Sequence, residues 1–239
     1  MAKINQMFFG IVDPRTMDEQ YAYNVAGYLT NANIMLDAFG PDKTIEEMTK
    51  EALKHCHGVP VFMAIHGKNC DELVDLALRI RRLDPEHVGC KILANPEGFK
   101  AIEKLSKMGM KVIVTGLYTV GQAIMAAQAG AYAISPFIHR GIDMGLDMET
   151  NIKTMREIYD HMENAPLILT ASIRDWNDLE MAIRCGSDAF AAYDLIQEAM
   201  TSQCSKDTEI SFGKAFAQMK GDDLSYLGIG KNEDTNFVE

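Results

Sequence analysis

The stretch His87 to Asn95, HVGCKILAN, sets one lysine, Lys91, near the end of a short apolar run. In an extended strand, side chains alternate between faces, so Val88, Cys90 and Ile92 share one side while Gly89, Lys91 and Leu93 share the other. If helices cover the first face, the lysine points into the interior of a barrel or sheet. An ammonium held there is poorly solvated and its pKa falls, so the neutral amine can attack a carbonyl and form a Schiff base. Taken alone, a lysine in an apolar run is more often a solvated strand end, because buried lysines are rare. Its neighbours have to decide between the two.

The ends of the other β-like runs supply more polar side chains: Asp13 after the first, Thr30 and Asn31 after the second, His66 after the third, and Thr115 after the fifth. Ser135, Phe137 and Arg140 follow the sixth run, and Ser172 and Arg174 the seventh. The set offers one nucleophile, several hydroxyl and amide groups, and two arginines whose planar guanidinium forks suit a phosphate. Plainer readings stand beside these. Thr115 is also an ordinary β-former, and Asn31 can be a turn residue bonded to its own backbone. Arg140 and Arg174 can each be a solvated loop arginine, but together on neighbouring strand ends of an acidic chain they mark an anion site. His55-Cys56-His57 brings three metal-type ligands together, yet adjacent residues at a helix end diverge and no further ligand clusters nearby, so no metal is expected. The stretch Gly141 to Asp147 lacks a GxGxxG pattern, and no cofactor is expected.

The elements that must position these residues are legible as an alternation. Short β-like runs at 4–12, 26–30, 59–65, 88–93, 110–115, 131–135, 167–171 and 188–192 are each followed by a helical pattern, at 17–24, 44–55, 70–83, 96–108, 119–129, 148–162, 176–184 and 195–201. Parallel strands need helical crossovers, and eight such units close on themselves. The expected fold is therefore α/β, a single (β/α)8 TIM barrel over residues 1–205 whose active site sits at the C-terminal strand ends. Residues 206–239 form an extra C-terminal helix and tail. Phe212, Phe216 and Met219 make a stripe there that must pack on the barrel or on a neighbouring subunit. The final LGIGKNEDTNFVE reads as frayed.

The 239-residue chain is 47% hydrophobic and carries a net charge of −11, which argues against nucleic-acid and anionic-membrane partners. No apolar run of about 18 residues is present, and the N-terminus lacks a signal-peptide pattern, so a cytoplasmic protein is expected. The five cysteines are scattered, with no CxxC, and read as reduced packing residues.

Four stretches make a family resemblance specific: LTNAN (29–33), GCKILAN (89–95), VTGLYTVGQAIMAAQAGAYAISPFIHR (114–140) and LTASIRD (169–175). In them the chain resembles the transaldolase and fructose-6-phosphate aldolase family, in its short-subunit branch. The resemblance implies a cofactor-free class I enzyme in which Lys91 forms a Schiff base with a ketose carbonyl. Asn31 would bond a substrate hydroxyl, Thr115 would help hold a catalytic water and Ser135 would line the sugar pocket. Arg140, Ser172 and Arg174 would bind the phosphate of a sugar-phosphate substrate. Aldolases of the family tend to have tyrosine where this chain has Phe137, which tilts the reading toward transaldolase, with a simple aldolase as the alternative. A homo-oligomer, pentameric or decameric, is implied as well.

Departures from the family pattern bear on proton transfer. Ala32 and Ile92 stand in place of prolines and affect loop stiffness. Strand 1 of the family ends in Leu-Asp-Thr; here Val12-Asp13-Pro14 keeps the acid after a short deletion, whereas Phe9-Gly10-Ile11 loses it, and Asp13 is the favoured acid/base group. The family's Glu or Gln at the end of strand 3 falls near Ala64. His66, two residues on and on the same face, can take over its role or sit as a rim histidine. A catalytically silent sugar-phosphate-binding barrel is the rival outside the enzymes.

Overall fold

A computed structural model describes the chain from Met7 to Lys220, with side chains to Ala217; the start of the 4–12 run and the final LGIGKNEDTNFVE lie outside the described residues. The chain divides into two compact units, 1–195 and 196–239.

In the first unit eight parallel strands close in sequence order. They are β1 (Phe8–Ile11), β2 (Tyr28–Leu29), β3 (Val61–Ala64), β4 (Val88–Leu93), β5 (Val112–Leu117), β6 (Ala133–Pro136), β7 (Leu167–Thr170) and β8 (Ala189–Ala191), with Phe190 of β8 registered against Phe8 of β1. The helices are α1 (Met17–Ala22), α2 (Ala32–Phe39), α3 (Ile45–Lys54), α4 (Cys70–Arg81), α5 (Pro96–Lys107), α6 (Val120–Gln128), α7 (Ile138–Asp143), α8 (Met148–Asp160), α9 (Trp176–Arg184), α10 (Tyr193–Met200) and α11 (Gln203–Lys220). The TIM-barrel expectation is met.

Two helices were not expected from the periodicity. The apolar segment of α2 starts inside what reads as a strand-end loop, and its N-terminus is made by the Asn31 side chain accepting from Ile34 N–H. A six-residue α7 stands where a Gly-rich loop was expected, with Gly141 inside it, a poor helix former. On α11, Phe212 and Phe216 have exposed rings, while the Met219 side chain lies outside the described residues.

Local sequence explains how the helices seat against the strands. At α5, Asn95 accepts from Gly98 N–H at 2.7 Å, and Pro96 occupies the first turn, where its missing N–H costs nothing. Ala101, Ile102 and Leu105 then form the buried stripe, and Lys104 and Lys107 complement the negative end of the helix dipole. Against such stripes β4 turns Val88, Cys90 and Ile92, all buried in the layer between strands and helices. The cysteines Cys56, Cys70, Cys90 and Cys185 are buried packing residues.

The other strand face looks inward. Phe9, Leu29, Phe62, Ile113, Ala133, Leu169 and Ala189 form a separate apolar cluster in the barrel interior. Gly89 has no side chain because Phe62 needs the space: a β-carbon there would lie 2.5 Å from the Phe62 ring and 2.7 Å from the Lys111 carbonyl oxygen. Gly89→Ala is therefore expected to cost about 1–3 kcal/mol through overpacking, read as a lowered midpoint in denaturant. An unchanged midpoint would show that the Phe62 ring moves aside freely.

Candidate active site

Lys91 stands one inward position above Gly89, in register with Ala64 on β3 and Ile113 on β5. Only 6% of it is exposed, and among the described residues no carboxylate lies within ion-pair distance of it. Burial without a counter-charge penalises the ammonium and lowers its pKa from 10.5 to about 8. Its Nζ lies 5.8 Å from the centre of the Phe137 ring, and the Arg140 guanidinium carbon lies 5.1 Å from the same ring. The quadrupole of the aromatic face thus offers both cations a partner that carries no negative charge. Tyr118 meets Phe137 edge-on at 5.9 Å, which helps fix that ring.

Above Lys91 opens a cleft of about 1190 Å³ at the C-terminal ends of the strands. Lys91, Asn31, His66, Thr115, Phe137, Arg140, Ser172 and Arg174 all contribute to its wall. The capping role of Asn31 uses its carbonyl oxygen, which receives Ile34 N–H at 2.9 Å. The amide nitrogen is left as the group able to donate into the cleft. Thr115 follows Lys91 around the barrel, registered between Leu93 on β4 and Ser135 on β6. A bulge follows it at Gly116, whose φ of +63° glycine adopts without strain. The Thr115 and Ser135 hydroxyls are both buried and make no hydrogen bond with the described protein. Ser135 is fully buried and does not reach the cleft wall.

Asp13 takes a different place from the one its sequence position suggested. The inward positions of β1 go to Phe9 and Ile11, and both reach the cleft wall, whereas Asp13 does not. Its carboxylate receives Arg15 Nε at 2.8 Å and Arg15 Nη2 at 2.6 Å, and its Oδ1 also accepts the Arg15 backbone N–H at 2.9 Å. These hydrogen bonds from Arg15 hold the Asp13 carboxyl below the usual carboxylate range. Arg15 continues to Asp37 on α2, so the acid belongs to a surface ion-pair network. His66, by contrast, sits exposed on the cleft wall beyond Ala64.

Arg140, on α7, and Arg174, in the loop before α9, come from segments joined at their bases. Beyond the strand ends the β6–β7 ladder continues through a bridge between Phe137 and Ala171. Ile138 N–H donates to Ala171 C=O, and His139 N–H to Ser172 C=O, both at 3.0 Å. Arg140 N–H donates to Ser172 Oγ at 3.3 Å. Ser172 has φ +57°, a left-handed conformation that serine seldom takes and that surrounding contacts must hold. The Arg174 guanidinium rests against Asp143 at 3.2 Å, with both groups about half exposed. His139, Asp175 and Asp178 bring possible metal-ligand atoms within 4.8 Å of one another. These atoms are already engaged in protein hydrogen bonds: Asp175 Oδ1 caps α9, and Asp178 Oδ2 accepts from Arg174 N–H and faces the His139 ring.

A closed eight-stranded parallel barrel with a desolvated lysine and two arginines lining the cleft at its C-terminal strand ends places a candidate active site where enzymes of this fold carry theirs. Residues 12–233 match the family model described as Transaldolase/Fructose-6-phosphate aldolase, and the chain belongs to that family, one of enzymes of the transaldolase/aldolase type. It is 33% identical to a probable transaldolase of Paracoccus denitrificans over 183 residues, 77% of this chain and 82% of that protein. With a probable transaldolase of Streptococcus agalactiae it shares 37% over 163 residues, 68% of this chain and 74% of that one. A crystal structure of a candidate phosphonomutase from Burkholderia cenocepacia J2315 superposes with a TM-score of 0.57 at 14% identity, covering 84% of this chain and 93% of the other, and shows the shared fold. No described helix is long and apolar enough to cross a membrane.

The Lys91 environment has a measurable linkage. With a folded pKa of about 8 against 10.5, the unfolded chain binds the extra proton between those pH values, so stability climbs as pH rises from 8 to 10.5. Lys91→Met is expected to be more stable than the wild type by up to roughly 3 kcal/mol below pH 8, a difference that vanishes by pH 10.5. Urea unfolding of both chains across this range tests it; a variant less stable at neutral pH would mean that the ammonium is well solvated.

Proposed function

We propose that the protein is a transaldolase-type enzyme that moves a three-carbon ketol unit from a phosphorylated or similarly anionic ketose through a Schiff base on Lys91. The observation that carries this reading is a buried lysine with no carboxylate partner and a pKa lowered to about 8, lying below two cleft arginines. A pKa near neutrality leaves an appreciable neutral fraction, the nucleophilic form.

The neutral amine attacks the C2 carbonyl, and the carbinolamine loses water to give an iminium. Removal of the C4 hydroxyl proton then breaks the C3–C4 bond; its electron pair moves into the iminium, giving an enamine and releasing an aldehyde. Attack of the enamine on an acceptor aldehyde and hydrolysis of the new iminium return Lys91. His66 is the group on the cleft wall suited to carrying the C4 proton, since Asp13 is committed to Arg15. The Thr115 hydroxyl, on the cleft wall and without a protein partner, supplies a hydrogen bond for the water that leaves and returns. Arg140 and Arg174 receive the phosphate, and Asn31 donates to a sugar hydroxyl. Phe137, beside Lys91, has no proton to deliver to the enamine, which favours transfer over release as a free ketone.

Three measurements bear on this reading. Borohydride in the presence of a ketose phosphate should fix an adduct on Lys91 and on nothing in Lys91→Met, and a wild type that stays unmodified would sink it. His66→Gln should lower kcat by about 10²-fold and Asp13→Asn only a few-fold; the reverse order would return the proton to Asp13. Arg140→Ala or Arg174→Ala should raise KM for a phosphorylated ketose roughly 10- to 150-fold and barely change it for the unphosphorylated analogue. Equal effects on both substrates would assign the arginines to holding the barrel.

A further inference from the structure

Asp178 is a buried carboxylate, 5% exposed, in the first turn of α9. One of its oxygens, Oδ2, accepts the backbone N–H of Arg174 at 2.9 Å and lies 2.8 Å from Nδ1 of His139. The first bond is what an acid in the first turn of a helix commonly makes with the residue leading into it. The second is not a helix bond, for His139 belongs to α7, the element that also carries Arg140. The far nitrogen of the same ring, Nε2, lies 3.7 Å from Asp143, and Asp143 holds the Arg174 guanidinium. Arg174 is thus gripped at its backbone by Asp178 and at its head by Asp143, and the His139 ring stands between the two acids.

We infer that His139 and Asp178 are positioning residues for anion binding, a cross-loop brace that sets Arg140 and Arg174 at one separation for a single phosphate-type group. This inference rests on the proposed placement of an anion between those arginines. A planar fork delivers paired hydrogen bonds only over a narrow range of geometry, so loosening either loop weakens both arginines together. Asp178 is almost closed to solvent, whereas both arginines are exposed. The brace therefore acts through them and does not touch the ligand.

His139→Ala removes the cross-loop bond and leaves the α9 cap intact, which makes it the deciding variant. Calorimetric titration with inorganic phosphate should show binding about tenfold weaker than in the wild type, the size of one lost hydrogen bond to a charged group. KM for a phosphorylated ketose should rise by a similar factor while kcat, and KM for the unphosphorylated analogue, stay near wild type. His139→Asn, whose amide can still donate to Asp178, should recover most of the affinity. Asp178→Ala should lose the affinity and also stability, since it removes the acceptor of the Arg174 N–H as well as the His139 partner.

If His139→Ala binds phosphate as tightly as the wild type does, Asp178 serves only the local bond to the Arg174 N–H and the brace is overturned. A wild type that does not bind phosphate overturns it as well. Borohydride trapping separates this from the Schiff-base reading: weakened phosphate binding with no Lys91 adduct in the wild type keeps the brace and removes the mechanism. A normal adduct with unchanged phosphate binding does the opposite.

Discussion

The structure turns on keeping one ammonium out of water without giving it a counter-ion. A carboxylate beside Lys91 would restore its ordinary pKa and lock it in the unreactive form, so the barrel has to be closed below the lysine with apolar groups alone. Phe9, Phe62 and Ile113 do this from alternate strands. The closure fixes the identity of Gly89, since the Phe62 ring occupies the space that a side chain at that position would need. Phe137 completes the enclosure from the rim, at 5.8 Å, with a ring face that attracts the cation weakly and cannot accept its proton. The lowered pKa of this lysine is therefore a property of the whole interior layer.

The second constraint is geometric. Under the proposed function, two arginines on separate segments past the strand ends, one on α7 and one in a loop, serve one anion only if the segments keep a fixed spacing, which exposed loops usually do not. The ladder between β6 and β7 is extended past the strand ends by the Phe137 to Ala171 bridge and by three backbone N–H groups donating across the gap. Ser172 is driven into a left-handed conformation, which lets its carbonyl oxygen and its hydroxyl meet successive N–H groups of the neighbouring loop. Strain at that residue is offset by the bonds it completes, as expected where a binding site over-determines its backbone.

Much of this was legible in the sequence because two-residue alternation and helical periodicity report burial directly. The alternation of HVGCKILAN assigns Lys91 to the inner face, and the structure puts Cys90 and Ile92 on the other. What sequence could not show is where a side chain at a strand end turns. Asp13 has inward parity with Phe9 and Ile11, but an arginine two residues later chelates it and takes it out of the cleft. Ser135 has the right parity too and lies too deep to reach the wall. The short helices α2 and α7 escaped because one begins within a strand-end motif and the other contains a glycine. The asparagine cap of α2, at Asn31, was the available signal. Asp178 was invisible for a different reason: its partner His139 is 39 residues away, and Asp178 lies outside the motif stretches.

Charge distribution ties these features to function. A chain with a net charge of −11 repels an anionic substrate at long range, so attraction has to be generated locally and within a screening length of the cleft. On the cleft wall Lys91, Arg140 and Arg174 converge, while the acids there are few, and one of them, Glu46, is neutralised by Arg79. Asp143 occupies the Arg174 head from outside the wall, a half-exposed pairing of a kind worth at most about 1 kcal/mol. Under the proposed function, a dianionic phosphate bridging two guanidinium groups would outcompete that single carboxylate. On that reading Asp143 holds the Arg174 head only until an anion displaces it, at little loss of affinity.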